Sequence, residues 1–285
     1  MAGKLYLCAT PIGNLEDITF RVLKTLKEVD LIAAEDTRNS IKLLNHFDIK
    51  TPMTSYHEYN KYDKADVLVE KMLQGTTLAL ITDAGTPGIS DPGEVLVKKA
   101  YEAGIEVTSL PGAAACITAL TLSGLSTRRF AFEAFLPSDK NERKRILGEL
   151  QNETRTIILY EAPHHLLKTL KELEPVVGDR RLTVVKELTK KHEQVYVTTV
   201  RKAIQHYEEE EPRGEYVLVF EGKHPDELVQ ERQAEWEKIS IEEHMNRYME
   251  QGVEKKEAMK LVAKDRGISK REVYQWLIGK GGGDL

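Results

Sequence analysis

Short apolar runs and segments of helical spacing take turns along the first part of the chain. KLYLCAT is a compact apolar run, and ITFRVLKTLKEV after it sets Ile18, Val22, Leu26 and Val29 three or four residues apart, the spacing of one helix face. The exchange continues. LIAAE predicts a strand and RNSIKLLNHF a helix; KADVLVEKML predicts a helix, TTLALITD a strand, GEVLVKKAYEAG a helix, IEVTSL a strand and AAACITALTLSG a helix. Strands alternating with helices predict a mostly parallel sheet covered by helices. Beyond a seam near Gly124 come strand FAFEAFL, helix KNERKRILGELQ, strand TRTIILYEA and helix HHLLKTLKELEPVV. Three successive strands follow, RLTVVKEL, EQVYVTT and EYVLVFEG, which predict a more antiparallel sheet. After Gly222 the apolar strands stop. Ser240 with Glu243 and Ser269 with Glu272 have the spacing of capping boxes, and KEAMKLVAKDRGISKREVYQWL has the outline of a helix-turn-helix. The expected organisation is an α/β domain over 1–123, a second α/β domain over 124–223 and a small helical module over 224–285.

Composition narrows this picture. The chain has 285 residues, 41% of them hydrophobic and 31% charged, as in a soluble globular protein. No run approaches the roughly 18 apolar residues of a membrane span, and MAGKLYLCAT has no long apolar segment ahead of a cleavage site, so the expected location is the cytoplasm. Cys8 and Cys116 stand apart in apolar surroundings and read as buried thiols, with no metal cluster or disulfide framework signalled. A formal charge of −5 argues against indiscriminate coating of nucleic acid, but the charge is uneven. Arg128 to Arg145 holds six basic residues against three acidic, Arg143 and Lys144 among them, and Lys255 to Leu285 holds eight against four. Lys255, Lys256, Lys264, Lys270 and Arg271 are the tail's candidates for contacting phosphate, although a charge run is more often a solvated helix face.

LALITDAGTPGISDPG begins as a strand and then fills with glycine, proline and small polar residues. Gly85, Gly88 and Gly93 permit close backbone approach or positive φ, and Pro87 and Pro92 stiffen the path. The loop matches neither GxxxxGK[ST] nor GxGxxG, which disfavours a nucleotide-phosphate cradle. It reads either as a ligand loop or as a tight strand-to-helix connection capped at Ser90 and Asp91. Two more Pro/Gly turns end strands, in TPIGNLEDIT and in SLPGAAACITAL, and three such loops from neighbouring strand ends would converge on one cleft.

With AAEDTR, FLP, YEAPHH, KELTKKHE and RGEYVLVFEG, these loops make the chain resemble the tetrapyrrole-methylase-like (class III) S-adenosylmethionine methyltransferases, in particular the branch that modifies small-subunit ribosomal RNA. The resemblance runs through nearly the whole chain. Two positions depart from the common pattern: PGAAA lacks a frequent serine, and His165 stands where arginine is usual. The resemblance implies two α/β domains with the cofactor cleft between them and a helical tail, acting as a homodimer on 16S ribosomal RNA. It also implies that S-adenosylmethionine lies against Pro11, Asp83, Ala84, Gly85, Thr86, Pro87, Ile89 and Ser90 on one side. Ala113, Ala114, Glu161, Ala162, Gly214, Glu215 and Tyr216 close the other side.

The implied reaction moves a methyl group onto the ribose 2′-hydroxyl of a cytidine in the decoding region. Alignment is the chief requirement, with a base or cation to help the hydroxyl lose its proton. Glu35, Asp36, Arg38, Lys186 and Glu187 are the catalytic candidates, none distinguished from an ordinary salt-bridge network. Tyr56, Tyr59 and Tyr62 are candidates for stacking on an unpaired base or for subunit contacts. A small-molecule methyltransferase acting on a tetrapyrrole, and a DNA-binding regulator whose tail reads the major groove, are the alternatives.

Overall fold

In a computed structural model, which describes residues 2–280, the chain forms two compact units. One runs to Leu150 and again from Arg155 to Glu221; the other joins Gln151–Thr154 to the chain from Gly222 onward. The first unit contains both sheets.

The first sheet has strands β1 (Lys4–Cys8), β2 (Leu31–Ala34), β3 (Met53–Ser55), β4 (Leu78–Ile81) and β5 (Glu106–Leu110) in the order β3-β2-β4-β1-β5, all parallel. Strand β4 shows why an unbroken apolar run is needed: all four residues are buried. Leu78 and Leu80 face helices α3 (Lys61–Leu73) and α4 (Gly93–Glu102), while Ala79 and Ile81 face α1 (Phe20–Glu28) and α2 (Thr37–His46). A strand covered on both faces has no polar side to show water.

The second sheet has β6 (Phe130–Phe135), β7 (Thr156–Glu161), β8 (Arg181–Lys186), β9 (Gln194–Thr199) and β10 (Tyr216–Phe220) in the order β6-β7-β10-β8-β9. Strands β6 and β7 are parallel and the other pairs antiparallel. Helix α5 (Ala115–Leu122) leaves the first sheet yet packs Cys116, Ala119 and Leu120 on the second, against Ile158, Val185, Val217 and Val219. The opposite face is covered by α6 (Lys140–Leu150), α7 (Pro163–Val177) and α8 (Val200–Glu209). Helix α8 lies where the sequence pattern passes directly from one strand to the next. Its buried Val200, Ala203, Ile204 and Tyr207 hold helical spacing beneath an otherwise polar surface of mixed charge.

The second unit is helical: α9 (Pro225–Glu237), α10 (Ile241–Glu250), α11 (Lys255–Arg266) and α12 (Lys270–Lys280). The capping box at Ser269 is complete, its Oγ accepting the Glu272 N–H while the Glu272 carboxylate accepts the Ser269 N–H at 2.6 Å. At Ser240 the hydroxyl accepts the Glu243 N–H, but the Glu243 carboxylate takes Arg247 instead. Ile241, Met245, Ala258, Met259, Val262 and Val273 form a small core of their own. The last residues of the basic tail, 281–285, lie outside the described residues.

Candidate active site

The loops that leave β1, β4 and β5 are stitched to one another. Thr10 and Gly85 exchange backbone hydrogen bonds of 2.9 and 3.1 Å, and the Thr86 hydroxyl donates to the Ala113 carbonyl at 2.8 Å. Gly85 takes φ +86°, and a Cβ there would stand 3.3 Å from Ile12 Cγ2 and 3.5 Å from the Ala113 oxygen. Asp91 holds the rest of the β4–α4 loop, its carboxylate accepting the N–H groups of Gly88, Ile89 and Gly93 at 2.8–3.0 Å. Asp91 thus satisfies the first N–H of α4, although the N-cap position falls on Pro92 rather than on Ser90 or Asp91, and Ser90 sits in the same turn at φ +65°.

Beside these loops opens a cleft of ≈ 410 Å³, of ordinary small-molecule size. Its wall includes Ala84, Gly85, Thr86, Ile89 and Ala114 from the first sheet's loops, and Glu161, Ala162, Glu215 and Tyr216 from the second sheet. The other residues assigned to the cofactor from sequence lie outside that wall. Asp83 turns toward the start of α2, accepting the Asp36 N–H at 3.2 Å and the Asn39 amide at 3.1 Å. Pro87 borders a separate groove with Glu94 and Tyr101. Gly214 makes room for the Glu187 side chain, 2.6 Å from where a Cβ would be. Pro11, Ser90 and Ala113 complete the group, with Ile12 rather than Pro11 reaching the cavity.

Several wall residues carry no assignment from sequence: Ile12, Cys116, Phe135, Tyr160, Pro163, Leu188 and Val217. They are apolar or aromatic residues at strand and helix ends, which in a sequence look like any other core positions. Tyr160 is more than filling. Its hydroxyl accepts the Cys116 N–H at the start of α5, 3.0 Å away, and so ties the second sheet to the helix that follows the β5 loop. Glu161 is buried at 6% exposure and has both oxygens engaged, accepting from the Ala162 N–H at 2.8 Å and the Thr169 hydroxyl at 2.5 Å.

The catalytic candidates fall into two groups. After β2, Asp36 caps α2 through the Arg38 N–H and receives the Arg38 guanidinium through Nε at 3.0 Å and Nη2 at 2.8 Å. These bonds hold its carboxyl down at about 2. Glu35, next to it, has the opposite character: burial raises its pKa, only partly offset by an N–H bond from Asp83, and the neighbouring Asp83 and Asp91 charges raise it further. The second group lies beyond β8. Glu187, at φ +52°, accepts Lys190 Nζ and the Glu215 N–H, both at 2.9 Å, and Lys190 bridges on to Glu215 at 2.8 Å. The Lys190 bond lowers the Glu187 pKa. Lys186 ends β8 beside this knot.

Two expectations need correction. Tyr56 is 1% exposed and donates its hydroxyl to the Pro92 carbonyl, so it is a core residue with no face for a base; Tyr59 and Tyr62 are exposed. Arg143 is turned into the fold, bonded through Nε to Glu172 at 2.7 Å and through Nη2 to Thr169 at 2.8 Å, and is spent there rather than on phosphate. Lys144, Lys255, Lys256, Lys264 and Arg271 are exposed, while Lys270 is half-buried. The tail's Arg266 also points inward, to the His244 ring and the Ile239 carbonyl.

Comparison with known proteins bears on this geometry. A family model described as Tetrapyrrole (Corrin/Porphyrin) Methylases matches residues 4–204. Ribosomal RNA small subunit methyltransferase I of Halalkalibacterium halodurans is 47% identical over 272 residues, 95% of this chain and 93% of its own. The protein of that name from Bacillus subtilis is 46% identical over 272 residues, with the same two shares. Its namesake from Thermotoga maritima is 45% identical over 221 residues, which cover 78% of this chain and 99% of that protein. Among solved structures, uroporphyrin-III-C-methyltransferase from Thermus thermophilus aligns at TM-score 0.55 and 19% identity over 76% of this chain and 94% of its own. Diphthine synthase aligns at 0.61 and 14% over 78% and 90%. At such identities these two likenesses speak for the fold.

Proposed function

The chain belongs to the tetrapyrrole methylase family, and from that premise we propose that it methylates small-subunit ribosomal RNA, carrying a methyl group from S-adenosylmethionine to the ribose 2′-oxygen of a cytidine in the decoding region. The observation that carries the reading is 47% identity across 95% of the chain to a protein named for that substrate. The basic tail agrees with it, since a tetrapyrrole acceptor gives no reason for exposed Lys255, Lys256, Lys264 and Arg271. Homodimeric action in the cytoplasm is part of the proposal through the family resemblance. No helix among the described residues is long and apolar enough to cross a membrane.

The residues present suit the cofactor. Gly85 leaves backbone open where a side chain would meet Ile12, and Ile12, Ile89, Ala114 and Leu188 offer apolar surface to an adenosyl group. Backbone polar groups of the loops are available for its hydroxyls and its amino-acid end. When bound, S-adenosylmethionine supplies a methyl group on a sulfonium, already an activated leaving group. What remains for the chain is to align the acceptor, exclude water and receive the hydroxyl proton. Asp36 and Glu187 are poor acceptors because their ion pairs lower their proton affinity. Glu35 has the higher affinity, and its carboxylate meets the N–H of Asp83, which directly precedes Ala84 in the cleft wall. Glu35 is accordingly the proposed base.

Incubating the protein with methyl-labelled S-adenosylmethionine and either isolated small ribosomal subunits or a precorrin-type acceptor tests the substrate class. Label is expected in the ribosomal RNA alone; label in the tetrapyrrole alone would reverse the reading.

A further inference from the structure

Strand β6 does not keep the alternation of a strand. In FAFEAF a regular pleat would put Phe132 on one face and Phe135 on the other, three residues away. The register against β7 shifts between Phe132 and Ala134, and Ala134 takes φ +52°, so an extra residue is accommodated as a bulge. Phe132 then pairs with Ile158 and Phe135 with Tyr160, two positions of β7 that share a face. Both rings meet Tyr160 edge-on, at centroid separations of 4.9 and 5.6 Å. The strained residue thus brings Phe135 round into the wall of the cleft, where it is 55% exposed. Folding alone gives no reason for this, because a left-handed alanine is strained and an open phenyl ring forgoes burial.

The platform is rigid. Tyr160, on which Phe135 leans, is anchored through its hydroxyl to the Cys116 N–H. Five and nine residues beyond Phe135, Lys140 and Lys144 of α6 are exposed and form no ion pair among the described residues. An aromatic face at a cleft with free cations close by in the chain is the combination that holds single-stranded nucleic acid: the ring takes a base and the cations take phosphates. Tyr59 and Tyr62 are also exposed, but neither lines the cleft.

We infer that Phe135 is the stacking platform for the acceptor's unpaired nucleobase, holding the base at the cleft so that its ribose faces the cofactor site; the inference rests on the RNA methylation proposed above. Phe135 is then a positioning residue for the acceptor and plays no part in holding the cofactor. The adenine of S-adenosylmethionine is the other flat ring that could use the same face, and the test separates the two.

Full-length wild type and the variants Phe135→Ala, Phe135→Leu and Phe135→Trp are assayed on small ribosomal subunits, with cofactor affinity measured by calorimetry and folding by thermal melting. The expected result for Ala and Leu is a KM for subunits raised about 5- to 150-fold, the range for removing one base–aromatic stack. Trp should keep KM near or below wild type, and cofactor affinity should be unchanged in all three. Leu keeps the apolar bulk, so a wild-type KM in Phe135→Leu would show that the ring merely fills space. A fall in cofactor affinity would show that it stacks on adenine. Either result overturns the inference, as does a Trp variant that fails although it melts like wild type. A wild-type protein inactive on subunits would instead remove the function on which the inference depends, and so is told apart from these failures.

Discussion

Whether a carboxylate in this site can accept a proton depends on what already neutralises it. Glu35 and Asp36 are adjacent, yet the Arg38 guanidinium holds Asp36 at about 2 while burial lifts Glu35 above its usual value. A base acts when it is deprotonated, so the single-turnover rate of methyl transfer should rise with pH through the raised Glu35 value and then level off. Glu35→Gln should lower that rate by about 10²-fold or more at saturating RNA and cofactor, and flatten the profile, with cofactor affinity retained. Wild-type rates in the Gln variant would assign the proton to another group. The motif AAEDTR makes these residues legible as a group but cannot rank them. The ranking comes chiefly from the burial of Glu35 beyond the paired ends of β2 and β4, set against the Arg38 ion pair of Asp36, and burial is a property of the fold; the Glu215 N–H likewise reaches Glu187 only across the β8–β10 pair. Tyr56 looks like a surface ring in the sequence for the same reason, since its partner Pro92 is 36 residues away.

Elements are legible wherever their own spacing declares them. The parallel first sheet and its helices follow from periodicity, and the cap at Ser269 is written in its own four residues. Helix α8 stays hidden because half its length is charged or polar surface, and the bulge in β6 because nothing in FAFEAF marks an alanine for positive φ. The second unit holds a further case. His244 on α10 is completely buried, with Trp236 stacked on it at 3.7 Å. Arg266 Nε donates to its Nδ1 at 3.2 Å, and its Nε2 lies 3.3 Å from Asp265. Burial chiefly lowers its pKa below 6.5, Arg266 and Arg247 act in the same direction, and Asp265 opposes them. The unfolded chain therefore takes up a proton before the folded one. The stability this group contributes is full above about 6.5 and is lost as pH falls from there through the folded value. Both tryptophans of the chain, Trp236 and Trp276, belong to these helices. Melting followed by tryptophan fluorescence should show a lower midpoint at pH 5 than at pH 7. A His244→Gln variant should lose most of that difference, and an unchanged pH dependence would exclude His244 as its source.

At the scale of the molecule, the helical unit is a separable part. The Thermotoga maritima protein is matched over 99% of its length by only 78% of this chain, and the unit that holds both sheets here runs to Glu221 without the helices from Gly222 onward. A chain stopped after Glu221 should fold, bind S-adenosylmethionine with unchanged affinity and retain the methyl-transfer step. Its affinity for ribosomal RNA should fall less steeply with salt, by about one unit of log–log slope for each phosphate that the tail would otherwise neutralise. Equal slopes by filter binding would show that the exposed cations of α11 and α12 do not hold RNA. The substrate is decided by mapping ribose methylation across the small-subunit ribosomal RNA of cells with and without this protein. Loss of the 2′-O-methyl group from a cytidine in the decoding region, restored by the wild-type chain and not by Glu35→Gln, is the expected result; an identical ribose map in the two strains, or a change confined to base methylation, would contradict it.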